Sequence, residues 1–116
     1  MTELLESTKS YIHLFKGIRI STRPDAIDDD ILTFLKSYGV TSIELGAQSM
    51  SDKVLEANDR GHTAQDIENA SKLIKKFGFS LGLQMMTGLY KSTAEDDIYT
   101  AERFISLAPD TVRIYP

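Results

Sequence analysis

Four stretches of this chain of 116 residues concentrate side chains able to hold a ligand: Ser21-Thr22-Arg23-Pro24-Asp25, Gly46-Ala47-Gln48-Ser49, Gln84-Met85-Met86-Thr87-Gly88 and Arg113-Ile114-Tyr115-Pro116. Each sits at the end of a short apolar, β-branched run. Gly46 and Gly88 would let backbone approach a bound molecule. The arginines suit two roles: charge-assisted hydrogen bonds to an anionic group, or pairing with Glu44 and Asp25 to hold the inside of a sheet together. Residue types alone leave both open. His62 could act as an acid–base group, but after Arg60-Gly61 at a helix start it is expected to bond loop backbone. Asp28-Asp29-Asp30 could suggest a metal site, but at a helix start these aspartates are expected to cap the helix and favour its dipole. The chain has no cysteine, which removes disulfides and thiolate chemistry.

The elements that must position these groups follow from periodicity. Residues 2–15 place Leu4, Thr8, Tyr11, Ile12 and Phe15 on one helical face. After Gly17, Ile18-Arg19-Ile20-Ser21-Thr22 reads as a strand, and Pro24-Asp25 turns the chain. A helix over 28–38 carries Ile31, Leu32, Leu35 and Tyr38 inward and stops at Gly39-Val40. A strand over 41–47, a short helix over 51–57 and a longer helix over 64–77 follow, the last opened by Thr63 with Asp66 and aligned on Ile67, Ala70, Ile74 and Phe77. Gly78-Phe79 repeats the stop. A third strand over 79–86, a helix over 93–107 opened by Ser92 with Glu95 and aligned on Ile98, Ala101 and Ile105, and a fourth strand over 111–115 complete the chain. A helix between every pair of strands predicts a parallel α/β sheet with right-handed crossovers.

Strand residues alternate sides. One side carries Ile18, Ile20, Ile43, Leu45, Leu81, Leu83, Val112 and Ile114; the other carries Arg19, Ser21, Arg23, Glu44, Gly46, Gln48, Gly82, Gln84, Arg113 and Tyr115. A doubly wound sheet would be apolar on both faces. The split predicts instead a curved sheet with helices on its outer face and a polar concave side, a partial (β/α) TIM-type barrel of about four parallel strands. A whole eight-stranded barrel takes roughly 250 residues. Four strands cannot close, so open strand edges are expected to drive a homo-oligomer.

Composition sets outer limits. With 41% hydrophobic and 26% charged residues the chain reads as one soluble unit, residues 1–116. A net charge of −4 argues against a free-standing nucleic-acid binder. No run approaches a membrane span and the first residues lack the pattern of a secretion signal, so a cytoplasmic location and no membrane partner are expected.

Five motifs in order resemble a known family: Ile20-Ser21-Thr22-Arg23-Pro24-Asp25; Glu44-Leu45-Gly46-Ala47-Gln48-Ser49; Asn58-Asp59-Arg60-Gly61-His62-Thr63; Gly82-Leu83-Gln84-Met85-Met86-Thr87-Gly88-Leu89; and Pro109-Asp110-Thr111-Val112-Arg113-Ile114-Tyr115-Pro116. From about Gly17 onward the chain is similar to the middle of the radical S-adenosylmethionine core, in the branch of the Elongator catalytic subunit, with oxygen-independent coproporphyrinogen III oxidase as a more distant cousin. The resemblance implies an iron–sulfur oxidoreductase in which a 4Fe-4S cluster reduces S-adenosylmethionine to begin radical chemistry. It implies cofactor contacts at Gln48 and Arg60, the latter on the methionine carboxylate, and at Gln84 near the adenosine. Ser21 or Arg19 falls near a further ligand position that is often glutamate. Tyr90-Lys91 replaces the Pro-Gly usual after Gly-Leu, so that loop is expected to differ.

The family's cluster needs three cysteines spaced CxxxCxxC, and this chain has none. The expectation is a fragment of a larger parent enzyme, inactive in radical generation alone and completed by the missing N-terminal part of the barrel. The parent would modify tRNA or act on a tetrapyrrole. The alternative is a non-enzymatic half-barrel that self-associates or binds a partner. An unrelated barrel holding phosphate or flavin would need a glycine-rich loop at a helix start, for which Gly61 and Gly88 are poor substitutes.

Overall fold

The computed structural model describes residues 2–9, 11 and 17–116. Its elements in chain order are α1 (Thr2–Lys9), β1 (Ile18–Thr22), a short 3-10 turn (Pro24–Ala26), α2 (Asp29–Ser37), β2 (Val40–Gln48), α3 (Asp52–Ala57), α4 (Ala64–Lys76), β3 (Ser80–Met86), α5 (Ala94–Ser106) and β4 (Thr111–Tyr115). The four strands form one sheet in the order β1-β2-β3-β4, and every neighbouring pair is parallel. This is the expected partial α/β barrel.

The alternation read from sequence fixes the two faces. Ile20 sits beside Ile43, Leu45 beside Leu83 and Leu83 beside Val112. Ile43, Leu45, Leu81 and Leu83 are fully buried and join Leu32 and Leu35 of α2, Leu55 of α3, Ile67 and Ile74 of α4 and Phe104 of α5 in one core. The opposite face carries the layers Ser21–Glu44–Gly82–Thr111 and Gly46–Gln84–Arg113. Met85 is in the core and Met86 lies on the other face, half-buried.

Caps explain the helix boundaries. The Asp28 side chain accepts a hydrogen bond from the Ile31 amide at 2.8 Å, with Asp29 and Asp30 in the first turn. The aspartate run is a cap. Gly39 and Gly78 end their helices at φ 82° and 84°, where a side chain would be strained. Thr63 and Asp66 form the expected reciprocal capping box of α4. For α5 the expected pair is one residue off: Thr93 and Asp96 make the box, while the Ser92 hydroxyl donates to Asp97 at 2.7 Å.

Two helices bury a stripe other than the one expected. In α1 Leu5 is buried while Leu4 is exposed; Tyr11, beyond α1, is exposed, and Ile12 and Phe15 lie outside the described residues. In α5 the buried positions are Thr100 and Phe104, and Ile98 and Ile105 are 59% and 76% exposed. Thr100 is drawn inward by chemistry that hydropathy does not weigh. Its Oγ1 accepts from the Met50 amide at 3.0 Å and lies 3.3 Å from Ser49 Oγ, satisfying polar groups that would otherwise be buried alone.

Candidate functional site

The C-terminal end of β2 departs from regular strand geometry. Its register against β3 shifts between Gly46 and Gln48, so that Gln48 pairs with Met85. Gln48 has φ 71°, a left-handed backbone uncommon for a residue with a side chain. The bulge frees the Ala47 carbonyl, which accepts from the Ser49 amide at 2.8 Å and lies 2.9 Å from His62 Nε2. Gln48 folds its amide over Gly46, with Nε2 3.4 Å from where a Cβ on that glycine would be.

The loop from α3 to α4 brings Arg60 and His62 to this strand end. Asp59, at φ 52°, closes α3 with paired bonds from the Asp59 amide to the Glu56 carbonyl and from the Arg60 amide to the Leu55 carbonyl. Arg23, just past β1, donates from Nη2 to the Arg60 carbonyl at 2.9 Å and from Nε to Asp25 at 3.0 Å. The Arg23 guanidinium holds the Asp25 carboxyl below its usual value of 3.8. Gly61 is required there: its φ is 77°, and a Cβ would lie 2.6 Å from Arg23 Nη2.

These residues enclose a cavity of about 110 Å³ walled by Arg23, Gly46, Gln48, Arg60 and His62. Gln48 Oε1, Arg60 Nε and His62 Nδ1 are buried and have no partner among the described residues. A second depression of about 480 Å³ shares Arg60 and His62 but adds Asp52, Glu56 and Asp59, a carboxylate wall unsuited to an anion.

The remaining expected residues lie further along the concave face. Gln84 sits in the layer of Gly46, on the strand next to it. Ser21 is exposed in the Glu44 layer. Arg19 is engaged: its Nη2 donates to Glu44 at 2.8 Å and to Thr111 at 3.2 Å, so it straps β1 to β4 across two strands. Arg113 Nη1 lies 3.4 Å from the same Glu44 oxygen, and Glu44 is only 2% exposed. The pairing of arginines with Glu44 and Asp25 is thus present, while Gln48 and Arg60 share the cavity. Sequence reading left Arg23 open between ligand contact and pairing with Asp25; the structure has the pairing and adds the bond to the Arg60 carbonyl, which residue types did not signal. Among the described residues no cluster of His, Asp or Glu could hold a metal ion.

Residues 2–104 match the family described as the Radical SAM superfamily. The chain belongs to the radical S-adenosylmethionine superfamily. It is 33% identical over 110 residues to the tRNA uridine(34) acetyltransferase of Methanocaldococcus infernus, covering 90% of this chain and 20% of that protein. It is 34% identical over 103 residues to human Elongator complex protein 3, covering 86% of this chain and 19% of that one. The solved archaeal Elp3 of Methanocaldococcus infernus superposes with a TM-score of 0.82 at 31% identity, over 86% of this chain and 24% of that one. Escherichia coli coproporphyrinogen III oxidase, solved as a radical SAM enzyme, shares the fold with a TM-score of 0.79 at 24% identity, over 99% of this chain and 28% of that one. The chain therefore spans about a fifth of the length of these curated relatives. It carries no cysteine, so none of its 116 residues supplies a thiolate to an iron–sulfur cluster. No described helix is long and apolar enough to cross a membrane.

Proposed function

We propose that this chain is the middle of the cofactor-binding barrel of a radical S-adenosylmethionine enzyme and holds the methionine end of that cofactor at the end of β2. The observation that carries this is the cavity beside Gln48 and Arg60, where a buried guanidinium N–H and a buried amide oxygen stand without partners. Leaving such groups unpaired costs about 1–3 kcal/mol each, so a ligand offering both an acceptor and a donor suits them. Arg60 would bind the carboxylate, its positive charge pre-aimed by the Arg23 bond to its own carbonyl. Gln48 would orient the amino-acid end, and Gln84 would face the adenosine. Ser21 and Arg19 would contribute less, Arg19 because its guanidinium already serves Glu44 and Thr111. When bound and reduced by a 4Fe-4S cluster, the cofactor supplies an organic radical; this chain's residues bind and orient it. The cluster would be held by the part of the parent that carries CxxxCxxC.

The test is a titration of isotope-labelled chain with S-adenosylmethionine, following backbone amides. Shifts gathered at residues 46–48, 60–63 and 84 are expected, and Arg60→Ala should weaken binding by roughly 1–3 kcal/mol. Binding unchanged in that variant would end the role given to Arg60. The tRNA-modifying names of the relatives favour tRNA as the parent's substrate, with a tetrapyrrole as the other option. An in-frame cysteine triad in the gene upstream of Met1 would support such a parent.

A second reading rests on a different observation. Val112 and Ile114, on the helix side of β4, are 44% and 61% exposed. Arg103 of α5 bonds Glu68 of α4, so Ile98 and Ile105 occupy the opposite flank of α5. This apolar flank and the β4 edge would let the chain persist as a self-associating or partner-binding half-barrel.

A further inference from the structure

The concave face is richer in positive charge than the chain that builds it. The net charge is −4, yet Arg19, Arg23, Arg60 and Arg113, four of the five arginines, stand on that face or beside its strand ends. Two carboxylates pair with them. Asp25 is taken by Arg23 at 3.0 Å. Glu44 is shared: Arg19 Nη2 lies 2.8 Å from its Oε2, and Arg113 Nη1 lies 3.4 Å from the same oxygen. One carboxylate cannot balance two guanidinium groups, and the distances identify the one left over. Arg19 has the shorter bond and a second acceptor in Thr111 at 3.2 Å. Arg113 has only the longer polar contact among the described residues, and its side chain is 50% exposed. Its guanidinium stands over the Tyr115 ring, 5.2 Å from the centroid, a cation–π contact that steadies the group and occupies none of its N–H donors. Arg113 is level with Gln84 on β3, and Gln84 with Gly46 on β2. A planar cationic fork therefore lies beside an amide and a stretch of bare backbone.

We propose that Arg113 is the anion-binding residue of a substrate site on the concave face, and that it takes a singly charged oxyanion, a carboxylate or a phosphodiester. A guanidinium presents paired N–H donors that match two oxygens of either group. The surplus on this part of the face is one positive charge, which one such anion neutralises. The partners divide by role: Glu44 and Thr111 hold Arg19 as a strap across the sheet, while Tyr115 presents Arg113 to the open side. The word substrate rests on the barrel reading given above; the anion site itself does not use Arg60 or the cavity beside it.

The experiment titrates isotope-labelled chain with dimethyl phosphate and, separately, with acetate, at constant ionic strength against chloride, following the Nε–H resonances of the arginines. A saturable shift at Arg113 that chloride does not produce is expected, and Arg113→Gln should remove it. The tighter of the two probes identifies the substrate's group, a nucleotide backbone or a carboxylic acid. Glu44→Gln keeps an oxygen for Arg19 and deletes the competing charge, and is expected to tighten anion binding roughly tenfold. Unchanged affinity in that variant would mean that Arg113 is already committed to Glu44, and would overturn the proposal. Should Glu44→Gln not fold, Arg113→Lys decides: it keeps the charge and loses the fork, so several-fold weaker binding is expected and equal binding overturns the assignment. If neither anion moves Arg113 while S-adenosylmethionine shifts residues 60–63, this proposal fails and the cofactor reading stands. If the anions bind and S-adenosylmethionine shifts nothing, the cofactor reading fails and the anion site stands.

Discussion

Arg23 shows how much one side chain at a strand end can organise. It clamps the Arg60 carbonyl, neutralises Asp25 and fills the space that only a glycine at 61 leaves open. Gly61→Ala must therefore displace Arg23 and also adopt a left-handed backbone, and the two together are expected to cost about 1–3 kcal/mol, read by urea unfolding. Asp25 gives this corner a pH dependence. Its carboxyl titrates below 3.8 when folded, so its contribution is full above that value and fades as pH falls through the folded one. Thermal unfolding between about pH 5 and pH 3 should fall less steeply in Asp25→Asn than in the parent sequence. The charge pairing at Glu44 and Asp25 was legible from residue types and strand alternation. The convergence of Arg60 and His62 on Gln48 was legible only through family likeness, because a bulge and three left-handed residues, Gln48, Asp59 and Gly61, build it.

The elements themselves were readable because each is punctuated. Gly39 and Gly78 stop helices, Thr63 starts one, and strand alternation separates core from cavity. The one capping error has a plain cause: Ser92-Thr93 offers two adjacent hydroxyls, with acidic residues three positions after each, and local pattern cannot choose between them. Thr93→Ala should cost roughly 1 kcal/mol where Ser92→Ala costs less, measured by thermal unfolding of both. Across the sheet, Gly82 marks the path of the Arg19 strap: a Cβ there would lie 2.9 Å from Thr111 Oγ1 and 3.0 Å from Arg19 Nη2. Gly82→Val is expected to expel the arginine and destabilise the chain by about 1–3 kcal/mol. An Arg19→Met, Thr111→Ala background, which clears both neighbours, should absorb most of that loss, which a general intolerance of β3 to valine would not allow.

At the scale of the molecule, the exposed flank of α5 and β4 accounts for the largest mismatch between sequence and structure. Ile98, Ile105, Val112 and Ile114 are patterned as core, yet among the described residues they stay 44–76% exposed. Periodicity reports that a face is apolar; it does not say which surface covers it. Self-association at tens of micromolar is expected by light scattering, and Ile105→Glu combined with Ile114→Lys should return the chain to a monomer. A monomeric parent sequence at that concentration would count against the half-barrel reading.

The strand order carries one more consequence. Each strand of the sheet lies beside the strand that precedes it in the chain, so no pairing waits for a distant segment. Loop-closure entropy is met in short, repeated steps, and folding can advance one strand–helix unit at a time as the polypeptide leaves the ribosome. The Arg19–Thr111 bond, which joins residues 92 apart, is among the last interactions that can form. Hydrogen exchange should therefore find β2 and β3 protected earliest during refolding and β4 latest, with the strap locking a sheet that has already been assembled.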